Sequence, residues 1–441
     1  MDVMMARMGA ERVQTGTFVG RLPALVAGYA RRVTPAVLEE HREASVSSAL
    51  GVWLLLAACA SGAVGSERDE LEEVLGCPAE EAARLLAAFM ADPPRALHAA
   101  IALWVAVDDA TSELSAWAQG LPREVESGFM PSQAEADAWA ERETLGLIRR
   151  FPLDIDSLTR IVLASALATK VSWAVPFEVV PAAEHCAPDS PWRSAVSRLL
   201  WDERADGYSM IARTDAAGVV AVHCAVAREG LTVVSVSAAP SVDRGAVVAA
   251  AYEVAASVCR EWGRGACSLW DLPSGAGHSW EISDREVAVF IAEPRLERIA
   301  GVALPAWRAQ ADLDLTRSAA FGTAPALQTL RELIGPRPDD QCEAKQAAVA
   351  SFTRYGFEAA AVTSLGIRAA AALRPRGHTI QRTAVLRFDH PYAAVAIAGR
   401  PAGSHRGVRG EPGSPDPSFP GLPLFCAWVH QPVEPEDEPP R

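Results

Sequence analysis

The chain changes texture once, near Asp202, and that change limits the folds open to it. Ahead of it, VTPAVLEEHREASVSSALGVWLLLAACAS, SERDELEEVLGCPAEEAARLLAAFMA and QAEADAWAERETLGLIRRF carry apolar residues at helical spacing. Each predicts helix, with Ser66 and then Asp69 three residues on as a cap for the second. Two apolar stretches interrupt them. LHAAIALWVAVDD is β-tolerant, and TRIVLASALATKVSWAVPF, bounded by Pro152 and Pro176, predicts a strand buried on both faces. Behind Asp202, SMIART, GVVAVHCAVA, GLTVVSVSAAP and EVAVFIAEPRL predict short strands, with one helix at AVVAAAYEVAASVCREW. Helices followed by many strands, with no repeat of fixed period, predict an α+β fold rather than alternating βαβ units.

Composition narrows the function. Of 441 residues, 50% are hydrophobic and 22% charged, which excludes wholesale disorder, collagen and a small disulfide scaffold. A net charge of −14 repels phosphate backbones, so no nucleic-acid partner is expected. The eight cysteines are scattered without a CxxC pair and read as small buried hydrophobes, so neither a metal site nor a cofactor is implied. The uncharged run Ala44 to Ser66 is long enough to span a bilayer, but Ser45, Ser47, Ser48, Ser61 and Ser66 dilute it into a core helix. No membrane partner is expected. The opening residues MDVMMARMGAERVQTGTF lack a signal peptide's apolar core, which predicts a cytoplasmic product, with non-standard export open. Residues 400–420 are rich in Pro, Gly and Ser and predict a disordered insertion, and the acidic, Pro-rich tail 434–441 is expected to fray.

Catalytic motifs fail on inspection. Gly277-His278-Ser279-Trp280-Glu281 lacks the closing glycine of a nucleophile elbow, and Gly403-Ser404-His405-Arg406-Gly407 has its serine one place early. Gly263-x-Gly265 has no third glycine at the right place and follows a helix-like segment. No enzyme is expected.

The informative stretch is Gln346 to Tyr392. No acid falls between Glu358 and Asp389, whereas Arg368, Arg374, Arg376, Arg382 and Arg387 do, and alanine dominates at 359–361 and 369–372. The residues alone allow a surface helix from Phe357 to Leu373 with Phe357, Ala361, Leu365, Ala369 and Leu373 on one face, or an exposed loop of small side chains.

Here the chain resembles the serpins. Tyr355-Gly356-Phe357-Glu358-Ala359-Ala360-Ala361-Val362-Thr363 looks like the serpin hinge, and Arg387-Phe388-Asp389-His390-Pro391-Tyr392 is similar to the motif that follows the serpin reactive loop. Upstream, a helix with Trp139, then Leu158-Thr159-Arg160, then a strand ending in Lys170, Trp173, Pro176 and Phe177 matches the family's order. SVSSAL from Ser45 to Leu50 resembles the start of its buried helix. LPAWRAQADLDL and GLPLFCAWVHQP resemble later serpin segments.

The resemblance implies one serpin-like domain over residues 16–433, with helices on a large central mixed sheet, further sheets and a reactive-loop region at 355–387. It implies inhibition of a serine protease by suicide: the loop is cleaved, its first half inserts into the central sheet, and the acyl-linked protease is distorted. The small side chains Ala359, Ala360, Ala361, Val362 and Thr363 suit such a strand. Ser45, Ser165, Trp173 and Gln346 fall in the sheet-opening region, with Ser165 in place of the family's usual Asn and Gln346 of a common His. Phe357 stands where the family prefers Ser or Thr, and its ring is expected to slow insertion. Counting forward from Gly356 puts the scissile bond near Ala370-Ala371; counting back from Phe388 puts it near Ile380-Gln381. Ala370 and Ala371 suit an elastase-like pocket, while Arg368, Arg374 and Arg376 suit a trypsin-like one. A monomer is expected. The alternatives are a non-inhibitory serpin-fold binding protein and an unrelated α+β protein whose arginines contact an acidic partner.

Overall fold

The structure is a computed structural model that describes residues 20–40, 45–289, 295–316, 318–337, 342–357, 377–403 and 419–437. Its first half runs α1 (Leu22–Glu40), β1 (Ser45–Ser47), α2 (Ala49–Ala60), α3 (Gly65–Leu75), α4 (Ala79–Ala91), β2 (His98–Val105), α5 (Ser112–Gly120), β3 (Glu126–Phe129), α6 (Gln133–Glu143), β4 (Ile161–Ala168), β5 (Val171–Ser172) and β6 (Glu178–Pro181). Then come α7 (Ala182–His185), β7 (Arg198–Asp202), β8 (Ser209–Thr214), β9 (Gly218–Val226), β10 (Leu231–Ser237), α8 (Arg244–Val258), β11 (Gly275–Ala276), β12 (Trp280–Val289), β13 (Leu296–Leu304) and β14 (Trp307–Asp314). The chain continues through α9 (Thr323–Leu333), β15 (Lys345–Phe352), β16 (Gly356–Phe357), β17 (Gly377–Arg387), β18 (Tyr392–Ala398) and β19 (Pro423–Val429).

Local chemistry explains the helix ends. α2 is apolar all round and is buried accordingly; its N-terminus is closed by the Ser48 hydroxyl, which accepts from Gly51 N–H. α6 opens on a reciprocal box between Ser132 and Glu135. The expected Ser66 cap does not form. α3 starts two residues earlier than such a cap requires, at Gly65 with Val64 in the cap position, and the Ser66 hydroxyl turns to Glu67 instead. Among the described residues no helix is long and apolar enough to cross a membrane.

Among the described residues, four sheets organise the strands. One runs β1-β19-β18-β10-β9-β8 and another β11-β12-β17-β13-β7-β6. The remaining two, β3-β2-β4 and β14-β15-β16-β5, lie with β4 and β15 facing each other across α2, and no ladder joins those two strands. This gap corrects the expectation for TRIVLASALA. Instead of burial on both faces, β4 alternates. Val162, Ala164 and Ala166 are buried against Trp139, Ala140 and Phe151 on and after α6, while Leu163, Ser165 and Leu167, which line the gap, are only half-buried.

β17 brings a second correction. Residues 377–387 belong to a central strand rather than to the loop, antiparallel to β12 and parallel to β13. Ile380 and Gln381, the scissile position reached by counting back, therefore lie inside a sheet.

Candidate functional site: the slot between β4 and β15

The facing strands and α2 enclose a cavity of about 850 Å³, walled by Gly51, Val52, Leu55, Leu163, Leu167 and Gln346 and extending to Ile148 and Phe151 beyond the sheet. Each wall is tied to α2 separately. Gln346 accepts from Ser48 N–H at 3.0 Å and donates to Ser48 O at 2.9 Å, while the Ser165 hydroxyl donates to Gly51 O at 3.2 Å. The two walls are thus held to a common floor without a hydrogen bond between Ser165 and Gln346. Cys59, also on the floor, is a packing group whose thiol burial pushes up to about 12.

At the foot of the slot, arginines bind the halves together. Arg160, ahead of β4, donates to Asp109 Oδ1 at 2.6 Å and to the carbonyls of Ile334 and Gly335 at 3.1 Å each, and Arg337 donates to the same Asp109 oxygen at 2.7 Å. Asp109 is buried, so two guanidinium partners offset its desolvation.

At the head, the chain itself crosses. After β15 the backbone turns through Thr353, Arg354 and Tyr355, with Thr353 N–H donating to Gly356 O at 2.9 Å and Gly356 N–H to the Thr353 hydroxyl at 3.2 Å. β16 then runs back antiparallel to β15, with Phe357 opposite Phe352. Its other edge pairs antiparallel with β5, Gly356 with Ser172 and Phe357 with Val171. Gly356 and Phe357 are therefore the first rung of a strand between the two halves, pointed down the slot. Trp173 fixes the turn, its backbone N–H donating to Tyr355 O at 3.0 Å and its indole to Thr353 O at 2.9 Å. Arg354, where the family usually has an acid, donates to Phe177 O at 3.1 Å.

Phe357 is packed within this site. It is 3% exposed and sits edge-on to Trp307, with ring centroids 6.2 Å apart, in a cluster continued by Phe352, Trp173 and Phe177. In this arrangement the ring fills a socket lined by Trp307 and Phe352.

Of the residues singled out from sequence, Gly356, Phe357, Trp173, Ser165 and Gln346 all come to the slot. Ser45 does not; it pairs with Trp428 on β1, and the serine that holds Gln346 is Ser48. Its signal was its place immediately ahead of an apolar helix, the position of a cap. Glu358, Ala359, Ala360, Ala361, Val362 and Thr363, and the candidate scissile positions Arg368, Ala370, Ala371, Arg374 and Arg376, lie outside the described residues, as does most of the insertion near 400–420.

Behind the aromatic cluster lies His223. It is fully buried, its Nδ1 bonded to the Ser209 hydroxyl at 2.9 Å, its ring 6.0 Å from Phe177, and its Nε2 without a hydrogen-bond partner. Burial holds the imidazole below the usual histidine range, and Asp202, 3.9 Å away, opposes this only in part. The unfolded chain then binds this proton first as pH falls. Stability is complete above about pH 6.5 and declines below it. Urea midpoints measured from pH 7 to pH 5 should fall, and His223→Gln should flatten the slope by up to about 1.4 kcal/mol per pH unit. Equal slopes would clear His223.

The arrangement is that of a serpin. The family described as Serpin (serine protease inhibitor) matches residues 26–185, and solved serpins share the fold over nearly the whole chain. Human thyroxine-binding globulin bound to its hormone aligns at 15% identity and a TM-score of 0.60, covering 95% of this chain and 100% of its own. The thermophilic serpin tengpin in its native state gives 15% and 0.60, covering 94% of each. Serpin48, described as a highly specific serpin of the insect Tenebrio molitor, gives 17% and 0.56, covering 94% and 98%. No curated protein matches in sequence. The family match over residues 26–185 and the shared fold together support a serpin-like chain, and the solved structures that share the fold include a highly specific serpin and thyroxine-binding globulin.

Proposed function

We propose that the protein inhibits a serine protease as a suicide substrate, and the observation that carries this is β16. A strand that had only to be exposed as bait would not need Phe357 laddered on both sides, and Gly356 on one, at the head of an open slot. From there, insertion is propagation. Each further residue that follows Phe357 adds backbone bonds to β4 on one side and β15 on the other, and the eight residues of each strand give a track of about 27 Å. The cut end travels that distance, from the aromatic cluster toward the Asp109 lock. A protease still acyl-linked to it would be carried against the body of the inhibitor and lose its oxyanion geometry, and deacylation would stop. The inhibitor contributes bait and strain and performs no catalysis.

Target class follows from where the cut falls. Arg368, Arg374 or Arg376 would enter a pocket holding a carboxylate, and Ala370 or Ala371 a small apolar one. Incubation with trypsin and with elastase, followed by denaturing electrophoresis and mass spectrometry, tests the reading. A covalent adduct with one of them is expected, and the mass of the released fragment places the bond. Cleavage between 358 and 376 with no adduct from either enzyme would favour the second reading, a serpin-fold binding protein, in which the buried Phe357 is a fixed anchor rather than a primed first rung.

A further inference from the structure

The described part of the acidic tail, through Asp437, is packed against the body of the protein. Val433 bridges Ala306, just ahead of β14, donating its N–H to Ala306 O at 2.8 Å, and Pro435 is buried. Glu434 Oε1 accepts from Ser197 N–H at 2.5 Å, Asp437 Oδ1 accepts from Arg198 Nη1 at 2.5 Å, and Arg198 Nη2 donates to Pro435 O at 3.0 Å. The Ser197 N–H holds the Glu434 carboxyl below the usual carboxylate range, with Arg198 adding to it. Exposed ion pairs alone would seat a tail weakly. A buried proline and backbone hydrogen bonds at both ends of the segment seat it better.

The last contact gives the segment its meaning: the Tyr355 hydroxyl donates to Asp437 O at 2.7 Å. Tyr355 is the residue immediately before β16, and its ring also packs under the Arg354 guanidinium at 5.2 Å. The turn from Thr353 to Tyr355 is therefore gripped from two directions, by Trp173 and Phe177 through its backbone and by the tail through its tyrosine. Arg198, at the other contact, opens β7, which shares a sheet with β17. Residues 433–437 thus touch both the turn that precedes residues 358–376 and the sheet that holds the strand following them.

We propose that Val433–Asp437 is a strap that sets the hinge turn, keeping Gly356 and Phe357 seated between β15 and β5, and that Tyr355 is the positioning residue through which it acts. The proposal rests on the loop-insertion reading above and names a regulator of it: whatever loosens the strap unseats the first rung and delays insertion.

Hydrogen exchange on the full chain tests this separately from inhibition. Tyr355→Phe removes one hydroxyl and keeps the ring and its arginine contact. Exchange of the peptide covering Gly356 and Phe357 should rise about fivefold, the equivalent of one hydrogen bond, while the peptide covering Arg198 to Asp202 stays as in the parent. A chain ending at Pro432 should show at least the same rise at 356–357. After cleavage in the loop, both variants should gain thermal stability more slowly than the parent. Parent-like exchange at 356–357 in both variants overturns the strap. A parent chain that gains no stability on cleavage overturns the insertion reading instead, whatever the exchange shows.

Discussion

If the loop inserts as proposed, cleavage within residues 358–376 should raise the thermal midpoint by on the order of 10 °C, and Gly51→Leu should abolish that rise without preventing the cut. The gain comes from filling the slot. An apolar void costs roughly 24 cal/mol per Å³, so occupying even about 200 Å³ of the cavity is worth several kcal/mol, and each kcal/mol moves the midpoint of a large domain by a few degrees. Gly51 lies on the floor within reach of both walls. A Cβ there would stand 3.1 Å from Ser165 Oγ, 3.4 Å from Leu167 Cδ1 and 3.6 Å from Gln346 Nε2. Leucine extends from that point into the volume an inserted side chain needs. Gly51→Ala is the control, since its methyl asks neighbours to give by only tenths of an ångström and should retain most of the gain. Scanning calorimetry before and after limited proteolysis reads both. A Gly51→Leu chain that gains as much as the parent would show that the inserted strand does not run over α2.

The elements legible in the sequence were those with a strong local rule. α2 could be read from an uninterrupted apolar run, and α6 from the helical spacing of QAEADAWAERETLGLIRRF. What stayed hidden depends on which partner faces which surface. Ser45 and Ser48 are three residues apart in one motif, and only the fold decides that the second holds Gln346. The half-burial of Leu163 and Leu167 contradicts their apolar neighbours because the neighbour that would cover them is missing from the sheet. β17 was hidden for another reason: His378, Thr379, Gln381, Arg382 and Thr383 dilute its β signal, so length counting treated it as loop. The tail is the plainest case. Acid and proline predict fraying when nothing meets them, and Arg198, Ser197 and Tyr355 meet them from 82 to 239 positions away in sequence.

These placements turn one chemical rule into opposite expectations for one residue. A bulky ring hinders a strand that must still enter a sheet, but it anchors a strand already inside.

On the proposed inhibitory reading, Phe357→Ser should therefore trap protease less efficiently, although it restores the small polar residue that the family prefers. Phe→Ala substitutions in packed cores cost about 3–5 kcal/mol when the site cannot relax. Here it can relax, because β16 would leave the slot once its ring no longer fills the socket beside Trp307 and Phe352. The loss is then capped at the free energy holding β16 in place, so the intact variant should melt within a few degrees of the parent. Its deficit appears in kinetics. Without a seated first rung the cleaved loop must nucleate the strand anew, and during that delay the acyl-enzyme hydrolyses. The number of inhibitor molecules consumed per protease trapped should rise severalfold, with the cleaved product still gaining stability because insertion finally completes. Phe357→Leu, which refills most of the socket, should recover much of the parent's efficiency. If Phe357→Ser instead trapped protease with fewer molecules than the parent, the ring would be an obstacle after all, and β16 would have to leave the slot before insertion could begin.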